Sequence, residues 1–337
     1  MARYFLIYIQ VLLLISFLFS CWEKPDESDE AGQSAVQLPN GYFMDIQATD
    51  TPSLLLPDFI STPMGEYNGT FNSVGSEFFY TVSNIHHDVL VRTQLQEDGS
   101  WSQPKIAPFS APHPEFDPLF SPDGSQLYFS SHRPLYTGGP TDASNIWKVE
   151  KTDSTWDEPE LVPLHGPSQG NYFSSLTSNG EIYFNIWNTG ELYYATQSDT
   201  GFIVESLGDN VNSPQGDGDP FVAPDGSYLI FRSYRPGGLG SGDLWISFNR
   251  MGEWLQPANL GEPINSKYNE MCPYVTTDDK LFIFSSGRFS QNYYEAELQD
   301  LSEISDKLQT WDNGQQNIYT ISAEFIEEMR NQVLEEN

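Results

Sequence analysis

The stretch DPLFSPDGSQLYFSSHRP, from Asp117 to Pro134, recurs as DPFVAPDGSYLIFRSYRP from Asp219 to Pro236, with eleven of eighteen positions identical at an offset of 102 residues. A text repeated at that distance restricts the chain to folds that stack one supersecondary unit several times. Alignment on the Asp of SPDG brings in weaker copies at Val74, Asn179 and Asp278, so successive copies lie 49, 56, 46 and 53 residues apart. Each copy has an apolar run, a tight turn and a second apolar run, which is a β-hairpin. A further signature opens a third strand at Asp88, Asn145, Glu191, Asp243 and Asn317, and Trp-x-x-Pro at Trp101, Trp156 and Trp254 leads into a fourth.

Four strands per unit of about fifty residues is the blade of a β-propeller. The two-part pattern, SPDG…LYFSS-x-RP followed by D-x-W, resembles the WD-like repeat of TolB-type bacterial propellers over residues 50–325. The resemblance implies an all-β fold of four-stranded blades around a central channel. It does not imply an activity, because propellers host many. Five hairpins predict five blades, with six as the alternative if residues 38–50 hide another. The fifth copy lacks its outer strand, and PSLLLPDFISTP near the N-terminus resembles the outer-strand text PKIAPFSAP, so the N-terminal segment is expected to close the ring. Phe325, Ile326, Met329 and Val333 form a helical stripe, and residues 326–337 read as a C-terminal helix and tail. An insertion in the fifth copy places Ala296, Leu298, Leu301, Ile304 and Leu308 at helical spacing, as a short amphipathic helix expected over one end of the channel, as packing or, alternatively, as a lid.

The opening residues carry an export signal. Arg3 precedes an apolar run, Phe5 to Phe19, too short for a confident transmembrane span. Leu18-Phe19-Ser20-Cys21 resembles a bacterial lipobox, which implies a signal peptide over 1–20 and lipidation of Cys21. Several acyl chains would anchor the chain without a membrane-spanning helix. Residues 21–49 read as the anchor and an acidic tether. The tether resembles the acidic export tag of Bacteroidetes surface lipoproteins. The expected location is the cell envelope, at the outer membrane, on its periplasmic face or at the surface. With 15 basic against 47 acidic residues the net charge is −32, which excludes nucleic-acid binding. Cys272 is the one other cysteine, so the mature chain has no internal disulfide.

Two motifs that suggest catalysis fail on context. GPSQG at Gly166–Gly170 matches G-x-S-x-G, but a strand text follows it where a nucleophile elbow needs a helix. GGLGSGD at Gly237–Asp243 joins two strands and has no helix to complete a phosphate cradle. One constellation survives. Eight residues before each turn stand Glu66, Glu115, Asn171, Asp217 and Glu270, expected as a ring at one mouth of the channel. Arg133, Arg235 and Arg288 are expected level with Glu115, Asp217 and Glu270, as intra-blade ion pairs or as site residues. His86, His87, His113, His132 and His165 fall in loops or strand ends at the same face. The expected function is binding of an envelope protein or glycan at this mouth, by a monomer, through Glu66, Glu115, Asn171, Asp217, Glu270, the three arginines, His113 and His132. The alternative is a metal-assisted polysaccharide lyase or glycoside hydrolase on the histidine-rich side. No organic cofactor is expected, and a divalent cation is the one inorganic alternative.

Overall fold

The computed structural model describes residues 46–83, 87–152, 155–164, 170–289 and 300–336. Cys21, the signal peptide, His86, His165, Ala296, Leu298 and most of the GPSQG motif lie outside them.

Five antiparallel sheets stand side by side. Their inner strands are Gly65–Phe71, Glu115–Phe120, Asn171–Leu176, Asp217–Val222 and Glu270–Val275, here numbered blades 1 to 5. Each inner strand touches the next, and that of blade 1 also touches that of blade 5, so the ring is closed. Second strands are Glu77–Ser83, Gln126–Ser131, Ile182–Ile186, Tyr228–Ser233 and Leu281–Ser286. A blade has neighbours on both faces, so its middle strands cannot alternate apolar and polar as a one-sided sheet does. Their text is accordingly continuous: Phe78, Phe79, Phe129, Phe184, Phe231, Phe282 and Phe284 are all fully buried.

The tight turns follow from glycine chemistry. Gly75, Gly124, Gly180 and Gly226 occupy the left-handed region at the first four hairpins, and Asp279 takes that conformation at the fifth, with φ of 57°. The third strands begin at Asp88, Asn145, Glu191, Asp243 and Asn317, as the sequence predicts. The outer strands are Lys105–Ile106, Glu160–Leu161, Gly201–Ser206 and Ala258–Asn259 in blades 1 to 4. In blade 5 the outer strand is Ser53–Leu54, paired antiparallel with Asn317–Ser322 through Ser53↔Thr320 and Leu54↔Tyr319. Leu55 N–H extends the ladder to Ile318 O at 2.8 Å, and the buried Leu55, Phe59 and Ile60 join the core. The five-blade, N-terminally closed ring is therefore the observed one.

Two helices are described. α1, Leu301–Leu308, is capped by Asp300, whose side chain accepts the N–H groups of Ser302 and Glu303. It buries no residue, and Leu301 and Leu308 are mostly exposed, so the expected packing over the channel is not what this helix does. α2, Phe325–Glu336, does pack: Phe325, Ile326, Met329 and Val333 lie against the main core cluster. Among the described residues no helix is long and apolar enough to cross a membrane.

Candidate functional site

The expected ring of acids exists as a register position. Glu115, Asn171, Asp217 and Glu270 open their inner strands and Glu66 is second in its own. Their side chains do not face open space, because all five residues are buried. Each carboxylate instead accepts the N–H of the residue four before it: Thr62 to Glu66 at 3.0 Å, Ala111 to Glu115 at 3.2 Å, Ser266 to Glu270 at 2.9 Å, and likewise Ser213 to Asp217. It thereby ties down the loop that enters its blade.

In blades 2, 4 and 5 the arginines complete this unit. Arg133 Nε lies 3.1 Å from Glu115 Oε1, Arg235 Nη2 lies 2.9 Å from Asp217 Oδ1, and Arg288 Nη2 lies 3.3 Å from Glu270 Oε1. Each guanidinium is also sandwiched by two rings: Phe129 and Trp147, Phe231 and Trp245, Phe284 and Tyr319, at 5.1 to 5.5 Å. The Trp of the D-x-W signature is thus the stacking partner of the Arg of the R-P signature. Blade 1 has Asn84 where blades 2, 4 and 5 have Arg. Burial pushes the Glu66 carboxyl up to about 8, against the lowering effect of its Thr62 hydrogen bonds.

The open space belongs to one or both of the next two residues of each inner strand. A cavity of about 800 Å³ is lined by Tyr67, Phe116, Asp117, Tyr172, Asp219 and Met271 from all five inner strands. Rim residues include His132, Asp142, Trp187 and Asn188. Of the described candidate site residues from the sequence, only His132 lines this cavity; its Nδ1 faces Thr141 O at 3.0 Å and its ring lies 5.9 Å from that of Phe116. His87 and His113 are not among the lining residues. A smaller cavity, about 550 Å³, lies at the opposite end between the hairpin turns and α2.

A backbone device repeated five times builds the floor. Every inner strand has a register shift, and the residue two beyond the buried acid or amide adopts positive φ: Asn68 49°, Asp117 54°, Phe173 43°, Asp219 54°, Cys272 53°. Such conformations are costly for non-glycine residues and gather at functional sites. The bulge turns an N–H out of the ladder, and a side chain on the second strand of the neighbouring blade receives it. Thr81 takes it from Asp117 at 3.2 Å, Ser130 from Phe173 at 3.0 Å, Asn185 from Asp219 at 3.3 Å, and Ser285 from Asn68 at 3.0 Å.

Blade 4 breaks this rule. Its second-strand residue is Arg232, which can only donate. The N–H of Cys272 goes instead to Asp219 Oδ2 at 3.3 Å, and Arg232 pairs with Asp219, Nε to Oδ2 at 3.3 Å and Nη2 to Oδ1 at 3.4 Å. Opposite Arg232 stands Gly218, where a Cβ would lie 3.1 Å from the guanidinium. The absent side chain makes room for Arg232 to line the cavity.

The floor thus holds two carboxyls and one guanidinium. Burial, then the neighbouring Asp219 charge, raises the Asp117 carboxyl well above the usual range, while Asn68 Nδ2 donates to its Oδ1 at 3.2 Å. Burial and the nearby carboxylates also raise the Tyr67 and Tyr172 hydroxyls, so both remain donors. Trp187 is 72 % exposed and its ring stands 5.8 Å from that of Tyr172, which gives the rim an open aromatic face.

Sequence reasoning missed Asp117, Asp219 and Arg232, although a signal was present. Pro118, Pro220 and Pro273 follow the left-handed residues of blades 2, 4 and 5, and Pro inside a strand marks a bulge.

No protein-family model matches the chain, and no curated protein sequence does. Solved structures to which it is similar include TolB proteins. One described as TolB from Agrobacterium tumefaciens is 19% identical, with 67% of this chain and 71% of that one covered and a TM-score of 0.47. TolB from Acinetobacter baumannii is 17% identical, with 57% of this chain and 45% of that one covered and a TM-score of 0.37. The catalytic domain of an α-L-arabinofuranosidase from Coprinopsis cinerea is 10% identical, with 81% and 97% covered and a TM-score of 0.49.

Proposed function

We propose that this propeller binds a glycan in the channel-mouth cavity, as a recognition module of the cell envelope. The observation that carries the reading is the pairing of an exposed aromatic face, Trp187 beside Tyr172, with a floor of hydrogen-bonding groups in one concave space. Sugars present apolar C–H faces and hydroxyl edges, and a cavity with aromatic walls and a few fixed polar groups meets both. Asp219, paired with Arg232, and Asp117 beside them give a hydroxyl-bearing ligand fixed hydrogen-bonding groups without requiring turnover. The buried acids of the sequence-predicted ring support the site by holding in place the loops that enter the blades. Lipidation of Cys21 belongs to the same reading, and a mass spectrum of the mature N-terminus checks it.

The test is titration of the purified protein against a glycan array, repeated with Trp187→Ala. The variant should weaken retained glycans by about tenfold or more, the scale of a lost stacking contact of 1–2 kcal/mol. Unchanged affinity in Trp187→Ala removes this cavity as the site. One observation favours glycoside hydrolysis as a second reading: two carboxyls of opposed environment, Asp117 pushed up by burial and Asp219 ion-paired, share the floor. Release of reducing sugar that is lost in Asp117→Asn would move the protein to that class.

A further inference from the structure

Taking the channel-mouth cavity as the ligand site, we propose that its ligand carries a carboxylate, as a uronate-containing glycan does, and that Arg232 selects it together with the hydroxyls of Tyr67 and Tyr172. The proposal rests on the reading of the preceding subsection and narrows the class of glycan.

Two observations lead there. The first is the departure of blade 4 from the rule the other blades keep. A hydroxyl or amide at position 232 would have received the Cys272 N–H, as Thr81, Ser130, Asn185 and Ser285 receive theirs. The chain has an arginine there, faces it with Gly218, and gives the orphaned N–H to Asp219. None of this is needed to close the ring. Its result is a guanidinium at the cavity floor with 13 % of its side chain exposed.

The second observation is the balance of donors and acceptors. The floor offers the Tyr67 and Tyr172 hydroxyls and the guanidinium, all able to donate. Its ion-paired acceptor, Asp219, is already engaged by Arg232 and by Cys272 N–H. The contacts of Arg232 with Asp219, at 3.3 and 3.4 Å, are longer than the usual 2.7–3.2 Å, and a guanidinium has five N–H groups to place. A donor-rich floor is best met by a ligand group that only accepts, and a carboxylate fits the planar fork of an arginine. The acidity of the whole chain opposes this weakly. Exposed charges such as Asp142 are screened within about 8 Å at physiological ionic strength, whereas the buried guanidinium is not.

The experiment is calorimetry of the full-length protein in detergent with oligomers of galacturonate, glucuronate and mannuronate, each beside its neutral methyl ester. At least one uronate should bind about tenfold or more tightly than its ester, the worth of a charge-assisted pair. In the charge-balanced variant Arg232→Met with Asp219→Asn, and in Arg232→Lys, the preference should fall to within about twofold. Tyr172→Phe, which removes one donor and no charge, should weaken the uronate several-fold with the melting temperature unchanged. Binding of neutral saccharides that depends on Trp187, with no uronate preferred over its ester, overturns this proposal and leaves the glycan reading standing. Equal, Arg232-dependent binding of cyclohexanecarboxylate keeps the carboxylate and overturns the glycan. A uronate preference that survives both Arg232 variants, or no binding of any probe, overturns the proposal.

Discussion

In blades 2, 4 and 5 the first residue of the inner strand and the residue two beyond it live in different surroundings. Glu115, Asp217 and Glu270 each find an arginine and a loop N–H within their own blade, so their charge is settled locally. Asp117, Asp219 and Cys272 turn toward the channel and meet one another, with Arg232 the one guanidinium on that floor. The first position obeys the repeat and supports the wall; the second departs from it blade by blade, as Asn, Asp, Phe, Asp and Cys. A repeated fold keeps its structural chemistry where copies agree and has freedom for recognition where they differ.

The largest effect should come from breaking the supporting ring. Arg235→Met leaves Asp217 buried without its partner, at a cost of about 3–5 kcal/mol in urea denaturation. Asp117→Asn keeps the shape of a side chain whose charged form burial disfavours and should stay within about 1 kcal/mol. Equal costs in the two variants would erase the distinction between the rings.

A middle-sized effect sharpens the comparison within the first ring, at the blade whose position 84 is Asn. A carboxyl near 4.5 in the unfolded chain and near 8 in the fold is held protonated by folding. Its contribution is intact below pH 4.5, declines as pH rises toward 8, and is constant above. Melting temperatures at pH 5.5 and 8.5 should therefore fall further for the wild type than for Glu66→Gln. The smallest effect is at the fifth hairpin, where Asp279→Gly should add about 0.5 kcal/mol by relieving a left-handed non-glycine residue, as the other four turns do. Denaturant midpoints resolve it.

The architecture was legible because it depends on features a sequence states directly: the period, the glycine at each turn, and the outer-strand text displaced to residues 52–63. The supporting ring was legible for the same reason, since Glu115, Asp217 and Glu270 recur at one offset with Arg133, Arg235 and Arg288 at another. What they face was not, because strand register alone cannot tell a side chain folded back on its own loop from one in the channel. Asp117 and Asp219 open the very stretch that revealed the repeat, and their identity made them look structural. Their orientation depends on a bulge, and a bulge shifts by one residue which side chain points where. Arg232 had no counterpart in the other copies, so a search by agreement passed over it.

The closing strand sets a timetable for folding. Ser53 and Leu54 leave the ribosome long before Tyr319 and Thr320, with which they pair. Through most of synthesis the first segment has no sheet to join, and afterwards the edge of Asn317–Ser322 stays open until it arrives. Such non-local pairing slows folding. Closure of the ring therefore cannot precede synthesis of Asn317–Ser322, and a partly made propeller presents a free edge until that strand pair forms.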